Sequence, residues 1–206
     1  MDTIQQFINR NSVDYQKHCS VSEETIEQYQ QLFNGKFLEE IIWIWRNMGF
    51  GIYENGYLQM VDPQEYNFAF DYIDKILNPT IIWGITALGD LLVWEGNDNW
   101  TIAPDEGNRI ALINIRQLKK TIIGGEVDVY LDILVNDEDD LIDTYKAKPY
   151  LEIKGKLPAL QYGQCYGYIP VLPLGVKASN NNLQVVDSKS YIEIIGQAAG
   201  KIIDLG

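Results

Sequence analysis

The chain is poor in the residues most catalytic schemes need: one histidine, His18, and two cysteines, Cys19 and Cys165, among 206 residues. A single imidazole excludes any mechanism requiring two, and it leaves a histidine-dependent triad resting on His18, within a polar N-terminal stretch read as loop. Adjacent side chains diverge, so Cys19 is no natural partner for His18. Cys165 lies in an apolar run where a buried, inert thiol is expected. The cysteine spacing fits no zinc or redox motif, so no metal or cofactor is expected, and a reducing compartment suits the chain. No run of eighteen apolar residues occurs, and the start MDTIQQFINRN has neither a basic leader nor an apolar stretch. Neither a membrane span nor a secretory signal is expected, and the reading is cytoplasmic.

Phosphate-cradling loops are also missing. Gly49 and Gly51 follow a helix pattern and precede a strand pattern, the reverse of the dinucleotide order, and Gly124 and Gly125 lack the lysine and hydroxyl of a P-loop. Basic residues are the last shortage: 16 lysines and arginines stand against 29 carboxylates, for a net charge of −13. Such a field repels phosphate and attracts basic partners, so direct nucleic-acid binding is not expected; the plain alternative is an acidic surface that serves solubility.

Hydrophobic residues, by contrast, make up 46% of the chain, enough for a sizeable core. Residues 1–35 read as polar helix, with Ser20 and Glu23 in capping-box spacing before a helix to Phe33. A second helix, 36–48, places Phe37, Leu38, Ile41, Ile42, Trp45 and Met48 on one face, and Gly49 stops it. Residues 50–61 read as a hairpin about Asn55-Gly56. Asp62, Pro63 and Glu65 then open a helix with the stripe Tyr66, Ala69, Phe70, Ile73, Ile76 and Leu77. TIIWGITA and LLVWEG, joined through Leu88-Gly89-Asp90, predict an antiparallel strand pair; 100–103 and 109–115 extend the sheet. Residues 126–135 fit strand or helix, with helix preferred. Leu183–Val186 predict a strand, and Ser190 with Glu193 a capped final helix on Tyr191, Ile194, Ile195, Ala198, Ala199 and Ile202.

Candidate binding chemistry falls on carboxylates and tryptophans. Trp43, Trp45, Trp83 and Trp94 sit in apolar helix or strand patterns and are expected in the core, leaving Trp100, beside Asp98, as the exposed one. Asp137, Glu138, Asp139, Asp140 and Asp143 form an acidic cluster suited either to a solvated helix start or to docking of a basic protein. With Asp98, Trp100, Asp105 and Glu106, they make the candidate interface set.

Three passages carry a resemblance: Trp45, Gly49, Phe50, Gly56, Tyr57, Asp62 and Pro63; then Thr86, Gly89, Asp90 and Trp94; then Tyr166, Gly167, Tyr168, Pro170, Leu174 and Gly175 within LQYGQCYGYIPVLPLG. In order and spacing the chain resembles the GAD-like domain family, with the C-terminal region of type VI secretion DNase immunity proteins. Val176 departs from that pattern, where similar proteins often have a second glycine. The resemblance implies an α+β fold with helices on a mainly antiparallel sheet, an N-terminal GAD-like region and a smaller immunity-type region, and it supplies no catalytic residues; the composition change at LKKTIIGG, 118–125, divides the chain into 1–118 and 119–206, as two regions or as parts of one compact unit. The implied function is non-catalytic binding and inhibition of a cognate toxin, a nuclease being the favoured class, and the net charge of −13 points to a basic surface on that partner. The rivals are a carbohydrate or small-molecule enzyme using paired carboxylates and a stand-alone interaction module.

Overall fold

The computed structural model describes residues 3–74, 76–96, 109–124, 127, 130–132, 138–201 and 203–204. Its centre is an eight-stranded sheet in the order β1-β2-β3-β4-β5-β6-β7-β10, antiparallel throughout except where β10 runs parallel to β7. The strands are β1 (Gln16–Cys19), β2 (Phe50–Tyr53), β3 (Leu58–Met60), β4 (Thr80–Thr86), β5 (Leu91–Glu95), β6 (Arg109–Asn114), β7 (Lys119–Gly124) and β10 (Ile203–Asp204). A separate pair, β8 (Gln164–Tyr168) and β9 (Leu183–Asp187), lies beside it. Both faces of the main sheet are covered, so its central strands read as continuous apolar runs. Alternation still sorts their side chains: Leu92, Trp94, Ile110 and Leu112 pack on one face, Leu91, Val93, Ala111 and Ile113 on the other. The first face takes helices α1 (Thr3–Asp14), α2 (Glu23–Leu32) and α3 (Glu39–Asn47), together with α5 (Glu138–Asp143) and α6 (Lys148–Ile153); the second takes α4 (Pro63–Tyr66), the 3-10 turns of Asn67–Tyr72 and α7 (Ser188–Ala199). The α+β architecture is as expected.

Several local expectations change. The N-terminal stretch is not all helix, because 16–19 pairs with β2 as an edge strand. Gly49 and Gly51 make that approach possible: a Cβ at either would lie 2.2 or 2.4 Å from a backbone oxygen of β1. With 16–19 drawn into the sheet, α2 starts later and is capped by Ser22, whose Oγ accepts from Thr25 N, rather than by Ser20. Asp62 caps α4 as expected, but α4 lasts four residues and gives way to 3-10 turns. The tighter winding aligns Tyr66, Ala69 and Tyr72, three apart, toward α7. Tyr66 meets Ser188 there at 2.8 Å, and the Tyr72 ring lies over Gly196, where a Cβ would be 2.3 Å away. That contact sets which face of α7 turns inward: Tyr191, Ile192, Ile195 and Gly196 are buried, while Ile194 is exposed. The cap of α7 is Asp187, accepting from Ser190 N, rather than Ser190 itself. The expected strand at 100–103 lies outside the described residues. Of 126–135, residues 127 and 130–132 are helical.

The hairpin turn is held from outside. Glu54 and Asn55 both adopt positive φ, at 48° and 53°, which is costly for residues with a Cβ. Asn11 accepts from Glu54 N and donates to its carboxylate, and Arg10 reaches the other oxygen at 2.7 Å, so α1 clamps the strained turn.

Two buried sets of bonds join the sheet to the β8–β9 pair. Gln59, fully buried on β3, donates to Gln164 O and accepts from Gly163 N, and Tyr166 N donates to Ala87 O at 2.7 Å. Gly167 lies against Tyr191 and Val186, where a Cβ would be 2.7 Å from each. Beside them the 86–90 turn closes on itself, with Thr86 Oγ1 accepting from Leu88 N and Asp90 N. The buried Asp90 carboxylate accepts from Arg116 at both oxygens and from Ile115 N, while Arg116 also donates to Lys146 O. β6 and β7 form a hairpin across residue 118.

Two stability predictions follow from these contacts. Asp90→Ala leaves the Arg116 guanidinium buried without its counter-ion, and it should cost about 3–5 kcal/mol in denaturant unfolding; a loss below 1 kcal/mol would show that the pair is dispensable. The hydroxyls of Tyr57, Tyr130 and Tyr145 and the Trp83 indole N–H are buried with no hydrogen-bond partner among the described residues. Tyr145→Phe should therefore leave unfolding free energy unchanged or raise it by about 1 kcal/mol, whereas a clear loss would reveal an acceptor for that hydroxyl.

Candidate functional site

The residues that a catalytic reading would use are dispersed or already engaged. His18 lies exposed on β1, stacked on Tyr162 with ring centroids 3.9 Å apart and planes 5° apart. Cys19 is exposed next to it, and partial burial, then the carboxylates of Asp62 and Glu65, push its thiol up from the ordinary value. Cys165 is fully buried beneath Gly89, and burial pushes its thiol up further. Both thiols are thereby shifted away from the thiolate that a nucleophile needs. The buried carboxylates are each paired: Glu54 with Arg10 and Asn11, Asp90 with Arg116, and Glu95 with Arg109 at 2.8 Å and Lys120 at 2.5 Å. Burial raises the Glu54 carboxyl, with Asn11 and Arg10 pulling the other way. Among the described residues no group of three or more His, Cys, Asp and Glu is placed to hold a metal ion.

The residues singled out for docking divide. Asp98, Trp100, Asp105, Glu106 and Asp137 lie outside the described residues. Glu138, Asp139, Asp140 and Asp143 are exposed on α5, whose Leu141 is buried and anchors the helix. Asp143 also borders a groove of about 320 Å³ whose lining includes Arg116, Lys146, Lys148 and Tyr168. The residues of the shared pattern are architectural. Trp45, Asp90, Trp94, Tyr166, Gly167 and Tyr168 are buried, Gly89 and Gly175 have φ of 81° and 83°, and Pro170 follows a cis peptide bond.

A second surface is larger. Helices α1, α2 and α3 enclose a groove of about 540 Å³ lined by Ile4, Ile8, Ile42, Trp43, Glu39 and Arg46, among others. Trp43 was expected in the core, but 40% of it is exposed. Helical geometry gives the reason: two residues turn the helix by about 200°, so Trp43 points away from the face that buries Trp45. Reading the pattern by angle rather than as an apolar run finds this residue. Charge is concentrated in the same part of the chain, where residues 1–104 hold fifteen carboxylates and five basic side chains. The net of −10 for that half is legible by counting, although the chain total hides it.

Comparison with known proteins agrees with the fold. A family model described as GAD-like domain matches residues 2–104, and one described as T6SS immunity protein Tdi1, C-terminal, matches residues 125–199. β6 and β7 fall between the two matched spans. The crystal structure of Atu4351 from Agrobacterium tumefaciens is similar with a TM-score of 0.69 and 21% identity, covering 97% of this chain and 90% of that one, which shows a shared fold. No curated protein matches the chain. With half of its length matched by the first model and its C-terminal region by the second, the chain belongs to the GAD-like domain family and carries the C-terminal region of the T6SS immunity protein Tdi1 family.

Proposed function

We propose that this protein is a non-catalytic immunity protein that binds and blocks a cognate toxin, with a nuclease the favoured class. The observation that carries this reading is the match of residues 125–199 to a T6SS immunity family. The charge distribution supports it, because a nuclease must be basic where it grips phosphate, and an acidic protein seated in that groove excludes the substrate by bulk and by field. Glu138, Asp139, Asp140 and Asp143 form one acidic patch of the proposed docking surface, and the helices of the N-terminal half supply more. The partner is then a protein with a basic surface, met in the cytoplasm, with no direct contact to nucleic acid or membrane.

The paired-carboxylate alternative draws support from a groove that holds Trp43 with Glu39 and Glu40. Glycoside chemistry needs two carboxyl groups facing each other across a cleft. Neighbours on one helix point about 100° apart instead, which favours binding over catalysis.

Co-expression with the product of the neighbouring gene tests the proposal. The expected outcome is rescued growth and a complex that survives purification, with association slowing as salt is raised. A toxin that kills equally well with and without this protein, and forms no complex with it, contradicts the reading.

A further inference from the structure

We infer that the groove between α1, α2 and α3 is a toxin-contact site, taking an apolar side chain of the toxin against Trp43 and a neighbouring lysine or arginine on Glu39 and Glu40; this rests on the immunity reading above. A large exposed aromatic beside an aliphatic lining is the composition of an interface anchor, since tryptophan contributes more to binding than most residues and its exposure to water is unfavourable. Ile4, Ile8 and Ile42 supply that lining, from two different helices. The position is rigid, because the opposite face of α3 buries Ile41, Ile44 and Trp45 and the Trp43 backbone carbonyl accepts from Asn47. Little backbone freedom remains to be lost on docking.

Charge selects the occupant. Arg46 is the cation lining the groove, and it is engaged by Glu23 through two bonds, at 2.7 and 2.8 Å. Glu39 and Glu40 have no ion-pair partner among the described residues. They stand in the first turn of α3, where the helix dipole favours negative charge and holds it in place before any partner arrives. The groove thus sets an apolar patch of Ile4, Ile8, Ile42 and Trp43 beside polar Gln5 and Gln30 and the carboxylates at the start of α3, the complement of an apolar residue followed by a basic one. A second copy of this chain is a poor occupant, because each copy carries a net charge of −13 and the facing N-terminal halves would repel. At about 540 Å³ the groove accepts a few side chains, so it anchors one part of a larger interface.

The test measures binding of the purified protein to the neighbouring-gene product carrying an inactivated active site. Trp43→Ala should keep the wild-type unfolding temperature and weaken binding about tenfold or more, chiefly through faster dissociation, while Trp43→Phe keeps most of the affinity. The double variant Glu39→Lys, Glu40→Lys alters one exposed and one half-buried position; it should slow association about tenfold and flatten its salt dependence, and it carries the test alone if Trp43→Ala fails to fold. Wild-type binding with both variants within twofold of it overturns the groove and leaves the immunity reading standing. Failure of the wild type to bind overturns the immunity reading itself. A wild-type dimer that Trp43→Ala converts to monomer makes the groove a self-interface and also overturns the inference.

Discussion

The fold depends most on a carboxylate that water does not reach. Asp90 lies in the 86–90 turn between β4 and β5 and accepts from Arg116 at both oxygens and from the backbone of Ile115. Arg116 passes the connection on to Lys146 O, so one ion pair ties the strand turn, the end of β6 and the segment between α5 and α6. Desolvating two charges is expensive, and such a pair is tolerated only where its hydrogen-bonding capacity is used well. Here the bonds define one arrangement of three segments. The adjacent Gly89 lies against Cys165 and Tyr191, which brings β8 and α7 to the same place.

This arrangement accounts for the aromatic, glycine-rich run at 160–175. Cys165, Tyr166, Gly167 and Tyr168 are buried, with β8 bonded to Ala87 O and to the Gln59 side chain, so the run closes the joint between the sheet and the C-terminal region. At 165–168 burial excludes charge, since any ionised side chain there would need a partner of its own. Charge is carried instead by exposed helix positions: Glu23, Glu24, Glu27 and Glu39 on α2 and α3, and Glu138, Asp139, Asp140 and Asp143 on α5. An interior whose charges are paired thus leaves the unburied carboxylates on its helices, which suits a protein proposed to act by occupying a basic surface.

What could be read beforehand was local chemistry. The Asn55-Gly56 turn, the Asp62 cap with Pro63 behind it, and strands β4, β5 and β6 all carry their cause within a few residues, in positive φ, in a side-chain acceptor or in β-branched apolar runs. The features that escaped depend on distant residues. β1 exists because two glycines thirty residues later let it approach β2; the winding of 67–72 answers to Ser188 and Gly196 on α7; and Asp90 finds Arg116 twenty-six residues away. No short-range pattern announces any of these. Trp43 is a different case, since its outward direction is present in the helical period. The family resemblance was legible because its carrier residues are architectural, and for the same reason they do not mark the binding surface.

The central claim is that protection comes from occupying the toxin, not from chemistry performed on it. Titrating a fixed amount of active toxin with this protein, and measuring the residual toxin activity, tests that claim most directly. Occupancy predicts a linear fall that reaches zero when the two proteins are equimolar. Loss of activity at a small fraction of an equivalent, as a catalyst would produce, or undiminished activity in the presence of excess protein would contradict it.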